Sequence, residues 1–506
     1  MTANTLMVMG TASSVGKSVL VTALCRILKQ DGFQVAPFKS QNMSLNSCAT
    51  VEDGEIGRAQ AVQAMAAGLA PSVDFNPVLL KPQADGCSQL VVSGKVSRTI
   101  SAADYYRYTP ELVSVVQVAL ARLRAAYDVV VIEGAGSPAE INLKDREIVN
   151  MRVAKMAGAP VLLAGDIDRG GVFAALVGTL ALLDPDERDY VKGLVINKFR
   201  GDPGLLKPGL VKLEQLTAKP VLGVVPYYRD IRLPQEDSVY LDERPDGAAG
   251  GAPDIAVVRL PHIANYDDFD PLEEDGIAVR YLSRARELGR PHLIILPGTK
   301  STVSDLAYLK RSGLAREVVR LAGEGVPVIG ICGGYQMLGR RILDPLGIES
   351  AAPSVPGLGL LEVETTFEPQ KATRQVTATI SAGYGLLEGM RGQAITGYEI
   401  HMGKTTANGQ AAAFRITGTP PGTADYDDGA IDGCGMVLGT YLHGLFANDR
   451  FRKNLLDGLR HRNGLAAGNG VTPLGQEAHF DRLAALVRAS LDMERLYQII
   501  EGGING

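Results

Sequence analysis

Cys332 stands where a thiol can act as a nucleophile. It follows the apolar, β-branched run Val326-Pro-Val-Ile-Gly-Ile331 and precedes Gly333-Gly-Tyr-Gln336, after which a helical pattern begins. A buried strand, a thiol, two small residues and a helix start give the geometry of a nucleophile elbow. The helix N-terminus favours the thiolate and presents backbone N–H groups to an oxyanion. A structural cysteine at a strand end is the plainer alternative. The glycine-flanked turn together with Gln336 favours the nucleophile.

A second chemistry lies near the start of the chain. Gly10-Thr11-Ala-Ser-Ser-Val-Gly16-Lys17-Ser18 sits between a strand at residues 5–9 and an apolar helix running through Leu28. Backbone N–H groups and a helix dipole there hold phosphates, Lys17 neutralises them, and the Ser18 hydroxyl can ligate Mg²⁺. Five residues rather than four separate Gly10 from Gly16. Lys39 ends the run through Pro37-Phe38, placing a cation at a strand's C-terminal end beside the loop, where open α/β sheets bind ligands. Tyr127-Asp-Val-Val-Val-Ile-Glu133-Gly ends a further strand in a carboxylate, the position from which Mg²⁺ is held directly or through water. Asn197-Lys-Phe-Arg-Gly-Asp202 resembles the ending of nucleotide-base readers, so Asn197 is a candidate for the adenine edge; a strand-terminal turn is the alternative.

Apolar strands ending in small or acidic residues alternate with helical patterns from the first residues to Pro226, and again from Asp254 onward. That order predicts an α/β fold of two doubly wound parallel-sheet domains. Gly, Pro and Asp dominate residues 234–253, which marks a linker between domains at 1–233 and 254–448. Residues 449–506 alternate charged and apolar positions at helical spacing and read as a helical extension, with one amphipathic helix from Phe480 to Ile500. Residues 40–63 are rich in amides and hydroxyls, side chains that can grip a polar substrate; an ordinary surface loop leading into a helix at Ala59–Ala67 is the alternative.

The composition excludes several classes. No apolar run reaches the roughly 18 residues a membrane span needs, and a net charge of −5 argues against a nucleic-acid partner. Five scattered cysteines without metal-ligand spacing, and no leader pattern at residue 1, point to a reduced, cytoplasmic setting.

The Cys332 elbow resembles that of class I glutamine amidotransferases, and the long phosphate loop resembles that of dethiobiotin synthetase and its relatives. The amidotransferase resemblance implies oxyanion N–H groups from Gly298, in the turn Leu296-Pro-Gly298-Thr, and from Gly333. It also implies glutamine binding near Gln336 and a base at His443, which ends Gly439-Thr-Tyr-Leu-His443-Gly-Leu-Phe446. The glutamate usual two residues after that histidine is replaced by Leu445. Either the third member is missing or another group replaces it, with Glu399 and His401 of Gly397-Tyr-Glu-Ile-His401 as candidates.

In combination with Pro37-Phe-Lys-Ser-Gln-Asn-Met-Ser-Leu-Asn46, Gly54-Glu-Ile-Gly-Arg-Ala-Gln60, Glu133-Gly-Ala-Gly-Ser-Pro-Ala-Glu-Ile-Asn142 and Asp166-Ile-Asp-Arg-Gly-Gly171, the chain resembles the cobyric acid synthase branch of these ATPases. The absent glutamate is a feature of that branch. The resemblance implies ATP, Mg²⁺ and glutamine as reactants and cofactors. It implies adenosylcobyrinic acid a,c-diamide as the corrinoid substrate, amidated at its b, d, e and g carboxylates in cobalamin biosynthesis. The rival readings are a cobyrinic acid a,c-diamide synthase and a non-catalytic, partition-type ATP switch.

Overall fold

The computed structural model describes residues 2–83, 86–228, 231–234, 252–275, 277, 279–420, 422–467 and 475–505. Val129-Val-Val-Ile-Glu133 is buried at every position, as expected of a parallel strand covered on both faces. It lies in a six-stranded sheet ordered Val221–Pro226, Val191–Phe199, Val161–Asp166, Asn4–Gly10, Val129–Glu133, Val35–Phe38. All of these pairings are parallel. Alternation along Asn4–Gly10 sends Leu6 and Val8 to one face, where helices Lys17–Gln30 and Gln476–Ser490 cover them. Met7 and Met9 go to the other face, under Ala102–Ala126 and Val172–Leu182. The C-terminal ends of these strands bring Gly10, Glu133, Asp166 and Asn197 to one edge of the sheet.

A second six-stranded sheet follows the order Val279–Leu282, Ile255–Val258, Leu293–Leu296, Val328–Ile331, Val437–Thr440, Ala430–Ile431. Its strands are parallel except for the last pair. Both expected parallel sheets are therefore present. The second is joined by an antiparallel sheet built on the long strands Val363–Ile380 and Ala394–Ala407. The two-residue strand Leu442–His443 pairs onto Tyr398 and Glu399 of that sheet, so two sheets fix the position of His443.

Residues 40–63 differ from the expected loop. They form short strands Gln41–Met43, Ser47–Ala49 and Glu55–Gly57, then the helix Arg58–Ala66. The first pairs with Val78–Pro82, and the other two pair with each other. Ala49 packs with Tyr398 and Ile400 of the second half of the chain, so this polar segment is an internal joint.

The tail also differs. Asp449–Arg462 buries Phe451, Leu455 and Leu459 in the second core, whereas Gln476–Ser490 and Met493–Gly502 bury Phe480, Leu483, Leu496 and Ile500 in the first. The single helix expected from Phe480 to Ile500 is broken because Leu491 bridges to Gly223 and the Asp492 carboxylate caps the next helix by accepting from Arg495 N at 3.0 Å. Residues 235–251 of the expected linker lie outside the described residues. No helix among the described residues is long and apolar enough to cross a membrane.

Candidate active sites

Strand Val328–Ile331 ends at Cys332, which caps the helix Gly333–Leu338 with φ 52° and ψ −110°. That conformation is strained for a residue with a Cβ, and it is the one expected of a candidate nucleophile held out of its strand. Close packing enforces it. Cys332 N donates to Thr440 O at 2.8 Å, and a Cβ on Gly334 would lie 2.0 Å from Leu296 O. Glycine at 334 is thus demanded by a neighbouring strand. The Cys332 thiol donates to Ile400 O at 3.4 Å.

His443 is buried beside it. Its Nδ1 lies 2.7 Å from Asp268 Oδ2, and Gly444 N donates to Asp268 Oδ1 at 2.8 Å. The Tyr398 ring stacks on the imidazole, with centroids 5.2 Å apart and an interplanar angle of 16°. Burial disfavours the imidazolium, but the Asp268 carboxylate and the Cys332 sulfur outweigh it and push His443 up to about 10. With Nδ1 committed to Asp268, Nε2 is left for the nucleophile, the arrangement of a catalytic triad.

Asp268 is a candidate site residue that the sequence did not reveal. It lies on the 3-10 turn Tyr266–Phe269, reached from Asn265 with φ 52°. No fixed spacing relates that turn to His443. Its one local signal is the pair Asp267-Asp268 held between Tyr266 and Phe269 in an otherwise acidic segment, and both carboxylates are buried. Glu399, a candidate for the same role, instead accepts from Arg374 Nε at 2.8 Å and Tyr426 OH at 2.8 Å. His401 points Nδ1 at Gly403 O (3.1 Å) and stacks on Tyr441, with burial holding it down at about 3. Neither orients His443, because Asp268 occupies its Nδ1.

Gly298 faces both reacting residues, since a Cβ there would lie 3.1 Å from His443 Cε1 and 3.8 Å from Cys332 Cβ. Gly333 follows the nucleophile, and Gln336 braces the cavity wall. The Gln336 side chain accepts from Thr302 Oγ1 (2.9 Å) and donates to Met402 O (2.9 Å) and Tyr441 OH (3.2 Å). Lys300, Glu349, Lys371 and, from the first half of the chain, Lys81 also line this cavity. Burial lowers Lys300 to about 8 and raises Glu349 to about 7. Lys81 donates to Glu55 Oε1 at 2.6 Å, and Lys371 pairs with the other oxygen of Glu55.

The second site gathers at the edge of the first sheet. Lys17 Nζ donates to Ala12 O (2.9 Å) and Gly136 O (3.0 Å), which curls the phosphate loop around it. Thr11 N is tied to Ala164 O at 2.9 Å. Glu133 is almost wholly buried and accepts from Ser18 Oγ at 2.9 Å, Lys39 Nζ at 2.8 Å and Gln63 Nε2 at 2.5 Å. Burial opposes its charge, and Lys39 with these donors reverses the balance and lowers its pKa. Gly16 has φ 98°, and a Cβ on it would meet Asn197 Nδ2 at 2.1 Å. Asn197 Nδ2 donates to Val15 O at 2.8 Å, so the residue expected at the adenine edge braces the loop. The structure therefore gathers Gly10, Thr11, Gly16, Lys17, Ser18, Lys39, Glu133 and Asn197 around one loop, and Gly298, Cys332, Gly333, Gln336 and His443 around another.

Two family models match the chain. The CobQ/CobB/MinD/ParA nucleotide binding domain covers residues 6–239, and the CobB/CobQ-like glutamine amidotransferase domain covers residues 254–451. The cobyric acid synthase of Dehalococcoides mccartyi strain CBDB1 is 58% identical over 502 residues, covering 99% of this chain and 100% of its own length. The cobyric acid synthase of Sorangium cellulosum strain So ce56 is 56% identical over 516 residues, covering 99% of each chain. The chain belongs to the cobyric acid synthase family. The family resemblance carried by the motifs is thereby confirmed, and the strand-and-helix order of both sites is that of a nucleotide-binding domain joined to an amidotransferase domain. Among solved structures, that of PurLQS from Thermotoga maritima aligns with 42% of this chain and 96% of its own, at 21% identity and TM-score 0.32.

Proposed function

We propose that this chain amidates the b, d, e and g carboxylates of adenosylcobyrinic acid a,c-diamide, using ATP and glutamine, in cobalamin biosynthesis. The observation that carries the reading is the Cys332–His443–Asp268 arrangement in the same chain as an intact phosphate loop. Residues 1–233 perform the phosphoryl chemistry and residues 254–448 the glutaminase chemistry, on either side of the linker at 234–253. The corrinoid and glutamine are the partners, and neither nucleic acid nor membrane is required. Five unpaired cysteines suit a cytoplasmic setting.

In the glutaminase half, the Cys332 sulfur attacks the glutamine amide carbon. The N–H groups of Gly298 and Gly333 receive the oxyanion, and His443 gives its proton to the departing ammonia. Water then hydrolyses the thioester and releases glutamate. Glutamine enters the cavity with its α-carboxylate toward Lys300 and its α-ammonium toward Glu349, with Gln336 shaping the wall between them. Lys300 and Glu349 are half-buried, oppositely charged groups lining that cavity.

In the other half, a substrate carboxylate attacks the γ-phosphorus of ATP, expels ADP and becomes an acyl phosphate. Ammonia displaces phosphate from it to form the amide. Lys17 and Lys39 offset charge on the transferred group. Asn197 supports nucleotide binding by bracing the loop, and contact with the adenine edge would require it to let go of Val15. The Ser18 hydroxyl and Glu133 carboxylate, 2.9 Å apart, are hard oxygen donors that fit Mg²⁺, and these two residues would hold it. Bound there, Mg²⁺ would neutralise phosphate charge.

The test is product mass after incubation with ATP, Mg²⁺, glutamine and the a,c-diamide. Four successive amide additions are expected. Hydrolysis of ATP without any corrinoid product would move the reading to another acid.

A further inference from the structure

Asp268 is held in place by the opposite half of the chain. Asn265, which opens its turn, donates its backbone N–H to Asn46 Oδ1 at 2.7 Å, and its side-chain oxygen accepts from Ser47 N at 2.9 Å. Next to Asp268, the Asp267 carboxylate lies 2.8 Å from Arg58 Nε. The Asp267 side chain is 2% exposed and that of Arg58 17%. The contact is close but poorly aligned, because neither Arg58 Nε nor Asp267 Oδ1 makes a hydrogen bond. Arg58 N donates to Asn46 O at 3.1 Å, so the arginine and the asparagine that pins the turn belong to one unit. Arg58 opens the helix Arg58–Ala66, whose next turn brings Gln60 and Gln63 to Glu133 Oε2 at 3.4 Å and 2.5 Å. One short helix thus touches the triad turn at one end and the phosphate-site carboxylate along its length.

We propose that Arg58 is a positioning residue for the glutaminase reaction, holding the turn 265–269 so that Asp268 faces His443. The triad is then assembled only when the nucleotide half supplies residues 46, 47 and 58. Two adjacent buried carboxylates repel each other; burial, with Asp268, raises the Asp267 pKa, and the Arg58 guanidinium is the charge that most opposes that rise, at 2.8 Å. The nucleophile Cys332, the oxyanion donors Gly298 and Gly333 and the glutamine-binding groups Lys300 and Glu349 lie on other segments, and the start of this turn, Ala264 and Asn265, forms part of the same cavity wall. Loss of Arg58 should therefore slow the chemical step and leave substrate binding intact.

The inference rests on the glutaminase reading, and the experiment separates the two. The full chain carrying Arg58→Ala, Arg58→Lys or Asp267→Asn is assayed with glutamine and, separately, with ammonia as the nitrogen source. Arg58→Ala should lower glutamine-dependent kcat by about 100-fold, the scale of a misplaced catalytic group. Glutamine KM should move by less than about threefold, which marks a group acting in the transition state alone. The ammonia-dependent rate should be unchanged, and Arg58→Lys should recover much of the loss. Asp267→Asn removes the same ion pair without a change of shape, and it should show the same split if Arg58→Ala does not fold. Equal losses with glutamine and ammonia, or no loss with either, would overturn the positioning role. A wild-type chain that releases no ammonia from glutamine would instead overturn the glutaminase reading itself.

Discussion

His443 Nδ1 and Asp268 Oδ2 are 2.7 Å apart although 175 positions separate them in the chain. The same carboxylate accepts from Gly444 N, so it fixes both the ring and the backbone that carries it. Leu445 stands where other triads place a glutamate two residues after the histidine, and here the turn Tyr266–Phe269 brings a carboxylate to the ring instead. Asp268→Asn should lower glutamine-dependent kcat by roughly 10,000-fold, comparable to losing the orienting acid of other triads. Ammonia-dependent amidation should be retained. Steady-state rates with the two nitrogen sources check this.

His443 also ties stability to pH. Its folded pKa of about 10 is above the usual histidine value of about 6.5. The native state therefore holds the proton more tightly than the unfolded chain. The resulting stabilisation is complete below the unfolded value and is lost as pH rises toward about 10. Thermal unfolding of wild type and His443→Gln between neutral and strongly alkaline pH checks it. The stability difference between them should shrink as pH rises.

Lys300 faces the cavity that holds Cys332, with burial already lowering its pKa. Replacement by Met removes the partner assigned to the α-carboxylate of glutamine. Glutamine KM should rise by roughly 10- to 100-fold, the worth of one hydrogen bond to a charged group. The ammonia-dependent rate should not change. A glutamine titration of Lys300→Met settles the assignment.

Lys39 reaches the other site, where its Nζ lies 2.8 Å from Glu133 Oε1. Lys39→Ala should reduce amidation from both glutamine and ammonia by roughly 100- to 1,000-fold, the range for losing one preorganised charge. A loss confined to the glutamine route would remove Lys39 from phosphoryl transfer.

The local motifs were legible in the sequence because each is a strand, a turn and a helix start in one short stretch. Gly10–Ser18 and Val326–Gln336 each carry their geometry within a dozen or so residues. Asp268 was not legible, since its role depends on how the turn 265–269 folds back onto Leu442–His443, and periodicity carries no record of that contact. The surface-loop reading of residues 40–63 fails for a related reason. Their amides and hydroxyls suit a solvated loop, yet Asn46, Ser47 and Asn42 are buried, because the second half of the chain and Gln60 take up their hydrogen bonds. The split of the tail between two cores was hidden likewise, as all three helices have an apolar stripe and only docking tells which sheet it meets.

The most direct measurement follows the nitrogen. Glutamine labelled with heavy nitrogen at the side-chain amide is supplied with ATP, Mg²⁺ and the a,c-diamide, to the wild type and to Cys332→Ala. The wild type should place the label in every new amide. Cys332→Ala should form none from glutamine, yet build the same product from added ammonia. Labelled product from Cys332→Ala, or no product from either protein with either nitrogen source, would contradict two cooperating sites in one chain.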